Sequence, residues 1–257
     1  MLELINVTKR FNVGTVDEST VFEGFNFKIE KGDFISVVGS NGSGKTTLLN
    51  LICGSLKPDE GDILFKGKSI AGVSEFKRAH IIGRVFQEPR IGTCADLTIL
   101  ENMALADNKN KSFGLGRCVS KKRIDYYKSL LEQCDMGLEN RLGVQVGTLS
   151  GGQRQALALI IANMTDIELL ILDEHTAALD PKAADRVMEL TKKLVEKSSI
   201  TTLMVTHNLR YAVEYGNRLV MMHEGNTVLD LQGEAKKQEK VEDLLKIFDE
   251  ISIEKGN

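Results

Sequence analysis

The segment Gly39-Ser40-Asn41-Gly42-Ser43-Gly44-Lys45-Thr46 narrows the folds open to this chain more than any other stretch. It fits the pattern GxxxxGK[ST], and it stands between an apolar run, Ile35 to Val38, and a stretch from Thr46 to Cys53 whose apolar residues recur at helical spacing. Strand, glycine loop and helix in that order open an α/β fold. Glycines let successive backbone N–H groups turn inward around phosphate oxygens, and the helix N-terminus adds a favourable dipole. Lys45 is suited to reach the outer phosphates and the Thr46 hydroxyl to ligate Mg²⁺, with Thr47 beside them. The bland alternative, a glycine turn with an incidental lysine, requires neither the strand before nor the helix after.

A second apolar run, Leu169 to Leu172, ends in Asp173 and Glu174. Asp173 is suited to hold Mg²⁺ through water and Glu174 to polarise an attacking water, the two groups that phosphoryl transfer needs besides a phosphate cradle. Alone, an acidic strand end is usually a solvated edge; coupled to a phosphate loop it acquires a purpose. His207 follows a third apolar strand, Thr201 to Val205, at a strand end where the loops of α/β sheets converge. A lone histidine there is ordinarily structural.

The rest of the 257 residues is read around these points. Leu2, Leu4, Ile5 and Val7, then Val21, Phe22, Phe25, Phe27 and Ile29, predict antiparallel N-terminal strands joined by the polar loop Asn12 to Thr20. Lys57 to Gly61 reads as a turn, with Ile63 to Phe65 and Ile81 to Phe86 as strands. From Glu88 to Thr148 the strand signal fades, and helices are expected over Ile99 to Ala106 and Val119 to Cys134, the second with Ile124, Tyr127, Leu130 and Leu131 on one face. Gln153 to Met164 and Pro181 to Val195 read as helices, and Arg218 to His223 with Thr227 to Leu231 as a hairpin about Glu224-Gly225-Asn226. Lys240 to Ile251 predicts a helix that packs through Val241, Leu244, Leu245, Phe248 and Ile251.

Composition removes several functions. Lys and Arg number 33 against 36 Asp and Glu, a net charge of -3, so nothing advertises a nucleic-acid partner. The longest nearly unbroken apolar run, Ala156 to Met164, is far short of the ~20 residues that span a bilayer, so no membrane crossing is expected. The start, MLELINVTKRF, has no secretory-signal pattern. The cysteines, Cys53, Cys94, Cys118 and Cys134, form no CxxC pair, which weakens both disulfide and zinc readings.

Leu149-Ser150-Gly151-Gly152-Gln153, at the start of a predicted helix, discriminates among phosphate-loop enzymes. With it the chain resembles the ATP-binding cassette (ABC) ATPases over nearly its whole length. The resemblance places Phe11 as an aromatic stacked on adenine, Gln87 as the Q-loop glutamine that also reaches the metal, Ala178-Leu179-Asp180 as the D-loop and His207 as the switch histidine at the γ-phosphate. Lys45, Gln87, Glu174 and His207 are then the catalytic set; Thr46, Gln87 and Asp173 the Mg²⁺ set; Phe11, Gly39 to Thr47 and Ser150 to Gln153 the ATP-binding set. A helix cap is the plain alternative for SGGQ, and core packing for Phe11. A serine hydroxyl and glycine amides at a helix N-terminus make a second anion site, yet the chain has one phosphate loop. The family's answer is a head-to-tail homodimer in which each signature closes over ATP held by the partner.

The resemblance implies an α/β P-loop cassette with a mostly parallel sheet. The ATPase core and antiparallel β subdomain take 1–87 and 149–231, an inserted helical subdomain 88–148 and a helical tail 232–257. It also implies separately encoded transmembrane permease subunits, an extracytoplasmic solute-binding protein, and a peripheral position on the cytoplasmic face of the membrane. The segment Glu88 to Asn102 resembles the transporter docking region, although Leu97, Ile99 and Leu100 would serve equally as core. His175 stands where the family usually has proline, and Ile161 and Ile167 where it often has Arg and Pro, expected to cost a surface contact and a loop restraint. These departures resemble an importer branch associated with aromatic amino acids or related small solutes. A soluble assembly ATPase of the iron-sulfur-cluster type is the rival reading.

Overall fold

The computed structural model describes residues 1–109, 111 and 118–254. Parts of the expected helical subdomain (110 and 112–117) and of the expected tail (255–257) lie outside the described residues. Along the chain come β1 (Leu2–Phe11), β2 (Ser19–Ile29), β3 (Phe34–Gly39), α1 (Lys45–Cys53), β4 (Glu60–Phe65), β5 (Lys68–Ser69), α2 (Glu75–Arg78) and β6 (Ile82–Val85). They are followed by α3 (Ile99–Asp107), α4 (Ile124–Leu131), α5 (Gly151–Asn163), β7 (Leu169–Asp173), α6 (Pro181–Ser198) and β8 (Thr201–Val205). The chain ends in α7 (Leu209–Glu214), β9 (Arg218–His223), β10 (Asn226–Gln232), α8 (Gly233–Gln238) and α9 (Val241–Glu254). Two compact units result, Met1–Ser74 with Leu203–Asn257, and Glu75–Thr202.

In the first unit β1 pairs antiparallel with both β2 and β4, Leu4 lying opposite Phe27 and Ile63, in the order β2-β1-β4-β5. Phe22, Phe25 and Phe27 stack along the buried face with centroids 4.4 and 6.1 Å apart. β4 starts at Glu60, three residues before the expected strand, because Glu60 pairs with Thr8 across the ladder and holds Arg10 at 2.9 Å. β3 is buried at all six positions and runs parallel to β9, which turns back antiparallel into β10. The hairpin turn uses left-handed Glu224 and Gly225, φ 43° and 74°, and a Cβ on Gly225 would sit 1.9 Å from the Val21 carbonyl oxygen. Only glycine fits that second position.

Val38, Ala212, Leu219, Met221 and Leu244 form a buried cluster, with Ile247, Phe248 and Ile251 of α9 against it. The expected face of this helix is thus corrected at Leu245, which is 48% exposed. The stripe continues through Ile247 instead, and Leu245 lies about 100° round the helix from Leu244. α8 lies within the expected helical tail as a helix separate from α9; its Lys236 ammonium is buried and donates to the carbonyls of Val213 and Tyr215 at the end of α7.

In the second unit β6 and β7 are parallel, Ile82 beside Leu169 and Val85 beside Leu172. Ile167, expected only to lose a loop restraint, is buried, and its Cδ1 lies 2.5 Å from where a Cβ on Gly83 would be. α3 starts on a capping box: the Thr98 hydroxyl accepts from the Glu101 N–H at 3.2 Å, and the Glu101 carboxylate accepts from the Thr98 N–H at 2.8 Å. The helix expected from Val119 to Cys134 is shorter: α4 is flanked by 3-10 turns at Lys121–Arg123 and Glu132–Cys134. Three successive cations oppose the dipole of a helix starting there, and left-handed Asp135 (φ 51°) stops it at the other end. Tyr127 and Leu131 are its buried positions.

Candidate nucleotide site

In the first unit the phosphate loop is built by close backbone packing. A Cβ on Gly39 would lie 2.2 Å from the Met222 carbonyl oxygen of β9, and one on Gly44 2.9 Å from the Phe22 ring. Gly44, at φ 99°, is also the N-cap of α1. The Ser43 N–H donates to the Ser40 carbonyl at 3.2 Å, and the Ser43 carbonyl accepts from the Gly225 N–H at 3.1 Å, tying the loop to the β9–β10 turn. Lys45 is buried, and its ammonium donates to the Gly39 and Ser40 carbonyls, both at 2.8 Å. The cation is therefore stored within the loop, on neutral acceptors that an anionic phosphate can replace.

Ser40, Asn41, Gly42 and Thr46 are exposed and Thr47 is half-buried, so the loop's outer surface is open. His207, also exposed, stands between β8 and α7. The Thr206 N–H donates to the Val37 carbonyl at 3.1 Å, which fixes the start of this loop two residues from Gly39. Phe11 ends β1 half-buried with the Lys9 ammonium 5.6 Å from its ring centre, and it is absent from the buried core.

In the second unit the parallel register of β6 and β7, continued two residues past Val85 and Leu172, brings Gln87 and Glu174 to the same end of the pair. Gln87 is exposed, while Asp173 and Glu174 are half-buried. Glu174 adopts a left-handed backbone at φ 47°, rare for a non-glycine residue, and its carbonyl accepts from the Ala177 N–H at 2.9 Å. Arg84 of β6 donates from Nη2 to Asp173 Oδ2 at 2.7 Å.

The signature forms the start of α5. The Ser150 hydroxyl accepts from the Gln153 N–H at 3.3 Å and the Gln153 side chain accepts from the Ser150 N–H at 3.2 Å, a capping box on exposed residues. A Cβ on Gly152 would lie 2.9 Å from the Ala183 methyl, and one on Gly151 3.3 Å from the Leu179 side chain. Both structural demands, cap and close helix approach, are thus met by the residues that the resemblance assigns to ATP. Asp180 caps α6 by accepting from the Ala183 N–H at 3.1 Å. His175 is buried, 3.2 Å from the Thr191 hydroxyl, and burial pushes its pKa down to about 4.

Sequence reasoning gave no role to Arg84 or to Gln155. Gln155 is fully buried and donates from Nε2 to the Phe86 carbonyl at 3.0 Å, joining α5 to the residue before Gln87. A charge inside the apolar strand Ile82–Val85 was the available signal for Arg84.

Next to these groups the second unit carries a groove of about 700 Å³. Phe76, Ile91, Leu105 and Ile161 supply apolar walls, with Arg84 and Lys109 as its cations. Phe76 is 77%, Ile91 62% and Leu105 50% exposed. Leu97, Ile99 and Leu100 do not line it, and Ile99 is wholly buried, which settles that residue as core. Asn102 braces the lip, accepting from the Cys94 N–H at 2.7 Å and donating to the Cys94 carbonyl at 2.9 Å.

For Mg²⁺ the candidate donors are a hydroxyl, an amide oxygen and a carboxylate, all hard oxygens. Among the described residues no group of three or more His, Cys, Asp or Glu could hold a metal by itself. Few protein donors completed by substrate phosphates is how Mg²⁺ is commonly bound, so the set fits. Among the described residues no helix is long and apolar enough to cross a membrane.

Comparison with known proteins identifies the family. The family model described as ABC transporter matches residues 22–177. The tyrosine transport ATP-binding protein of Clostridioides difficile is 45% identical over 249 residues, 97% of this chain and 99% of that protein. The methionine import ATP-binding protein MetN of Lactococcus lactis is 33% identical, covering 92% of this chain and 68% of that protein. Among solved structures, the dimeric post-hydrolysis state of the cassette MJ0796 bound to ADP and Pi is 30% identical with a TM-score of 0.76, covering 90% of this chain and 98% of that one. The ADP conformation of MJ1267 has a TM-score of 0.80 at 26% identity, over 100% and 99% of the two chains. The chain belongs to the ABC transporter family, as an ATP-binding cassette whose enzymatic activity is the hydrolysis of ATP.

Proposed function

We propose that this cassette powers an importer of a small solute, working as a homodimer bound to separately encoded permease subunits at the cytoplasmic face of the membrane. An extracytoplasmic solute-binding protein completes the system in this reading. The relatives named for tyrosine and methionine favour an amino acid as solute. One observation carries the coupling to a partner: within one unit, the acidic strand end and Gln87 stand beside an apolar groove walled by the segment that follows Gln87. Exposed apolar walls with two cations and, among the described residues, no carboxylate suit a short apolar helix bearing an acidic side chain.

Each residue then has a task. The amides of Gly39 to Thr47 and the Lys45 ammonium hold the phosphates, and Phe11 stacks on adenine. Thr46, Gln87 and Asp173 would hold Mg²⁺, which supplies charge neutralisation of the phosphates. Glu174 accepts a proton from the attacking water, and His207 holds the γ-phosphate and water in register. Ser150, Gly151, Gly152 and Gln153 close over ATP held by a second copy. Closure is a population shift: ATP binds the closed pair better, and loss of the γ-phosphate removes the preference.

The test uses tagged Glu174→Gln protein with ATP and Mg²⁺. The variant is expected to bind ATP and to hydrolyse it at least ~100-fold more slowly, as when a positioned base is removed. Captured from gently solubilised membranes, it should bring multi-spanning subunits with it. Turnover near that of the parent removes Glu174 from its role; recovery of soluble assembly factors alone moves the protein to the iron-sulfur type of cassette.

A further inference from the structure

The metal-holding carboxylate proposed above is already engaged. Asp173 Oδ2 accepts from Arg84 Nη2 at 2.7 Å, and the two side chains are only 17% and 13% exposed. The guanidinium has a second contact, its carbon lying 4.8 Å from the Phe86 ring centre, and β6 fixes its backbone beside β7, Arg84 level with Ile171. A short, poorly solvated ion pair is strong where the geometry is fixed by packing. Arg84 is also permanently charged, so it cannot yield by losing a proton.

From this we infer that Arg84 is a positioning residue that competes with the divalent cation for Asp173 and so keeps the metal site weak until nucleotide phosphates arrive. A cation approaching Asp173 meets a carboxylate whose charge is already balanced. Phosphate oxygens add negative charge that the arginine does not cancel, so metal and nucleotide bind together. Because Arg84 also lines the groove, the pair sits where an occupant of that groove can reach it. The inference rests on the assignment of Asp173 to the metal site.

The experiment measures Mn²⁺ binding, as a paramagnetic substitute for Mg²⁺, by the loss of the free-ion EPR signal. Parent, Arg84→Met, Arg84→Gln and Arg84→Lys proteins are titrated with and without ADP, and a melting curve checks that each is folded. Removing the charge in Met and Gln is expected to tighten Mn²⁺ binding on the order of tenfold and to shrink the difference made by ADP, one unit of nearby charge acting on a partly buried site. Lys restores weaker binding toward the parent value. Unchanged or weaker Mn²⁺ binding in folded Met and Gln variants overturns the inference while the nucleotide-dependent Mn²⁺ site of the parent still stands. Absence of such a site in the parent overturns the metal assignment and this inference with it.

Discussion

Glu174 and His175 show how two neighbouring residues at one strand exit divide chemistry from stability. Glu174 holds a left-handed backbone, φ 47°, a conformation that costs of order 1 kcal/mol or more and is tolerated where the surroundings enforce it. Glutamine has the same shape, so Glu174→Gln removes the charge without changing that strain. His175 is buried instead, against Thr191 of α6. Burial holds its pKa at about 4, below the ordinary value of 6.5, so the folded state keeps it neutral. Between those two values the unfolded chain binds a proton that the folded chain does not. The His175 contribution is therefore intact above pH 6.5 and is lost as pH falls toward 4, by about 3 kcal/mol at most. His175→Gln should flatten the fall in urea-unfolding free energy between pH 6.5 and 4.5. Equal slopes in the parent and the variant would show that another group sets the acid sensitivity.

At the scale of elements, α5 carries two demands at one end. Ser150 caps the helix and stands exposed, while Gly152 admits Ala183 of α6 at close range. Ser150→Arg loses the cap, about 1 kcal/mol, but seven buried residues from Gly152 to Ile160 keep the helix in place. Nucleotide binding by the single chain should persist, and ATP-dependent dimerisation of a Glu174→Gln background should vanish in sedimentation. A dimer that survives counts against the signature as an interface. Such local features were legible in the sequence because their signals are local: the apolar run and glycine loop at Ile35 to Thr46, the helix start at Ser150, the hairpin at Glu224-Gly225. Arg84 on Asp173 and Gln155 on Phe86 join residues 89 and 69 positions apart. Their partners follow from strand register and helix packing, which no local pattern encodes. The helix expected from Val119 to Cys134 is shorter in the structure for a related reason, since its apolar stripe was read without the cations and the left-handed Asp135 that bound it.

For the molecule as a whole, catalytic groups alone leave the groove unexplained. The core of this chain would bury Phe76, Ile91 and Leu105 if stability were their task, yet all three are at least half exposed around one concavity. Exposed apolar side chains gathered at a groove gain free energy only when something covers them, roughly 25 cal/mol per Å² removed from water. Replacing two of them therefore separates partner binding from catalysis. Phe76→Ser with Ile91→Ser should leave the melting temperature and ATP affinity close to those of the parent, because neither side chain is in the core. On a Glu174→Gln background the same pair should lose capture of membrane subunits by tenfold or more, on the order expected for two uncovered anchors. Capture at the parental level would place the partner elsewhere on the chain, and a parallel loss of ATP affinity would show that the groove walls support the nucleotide site itself.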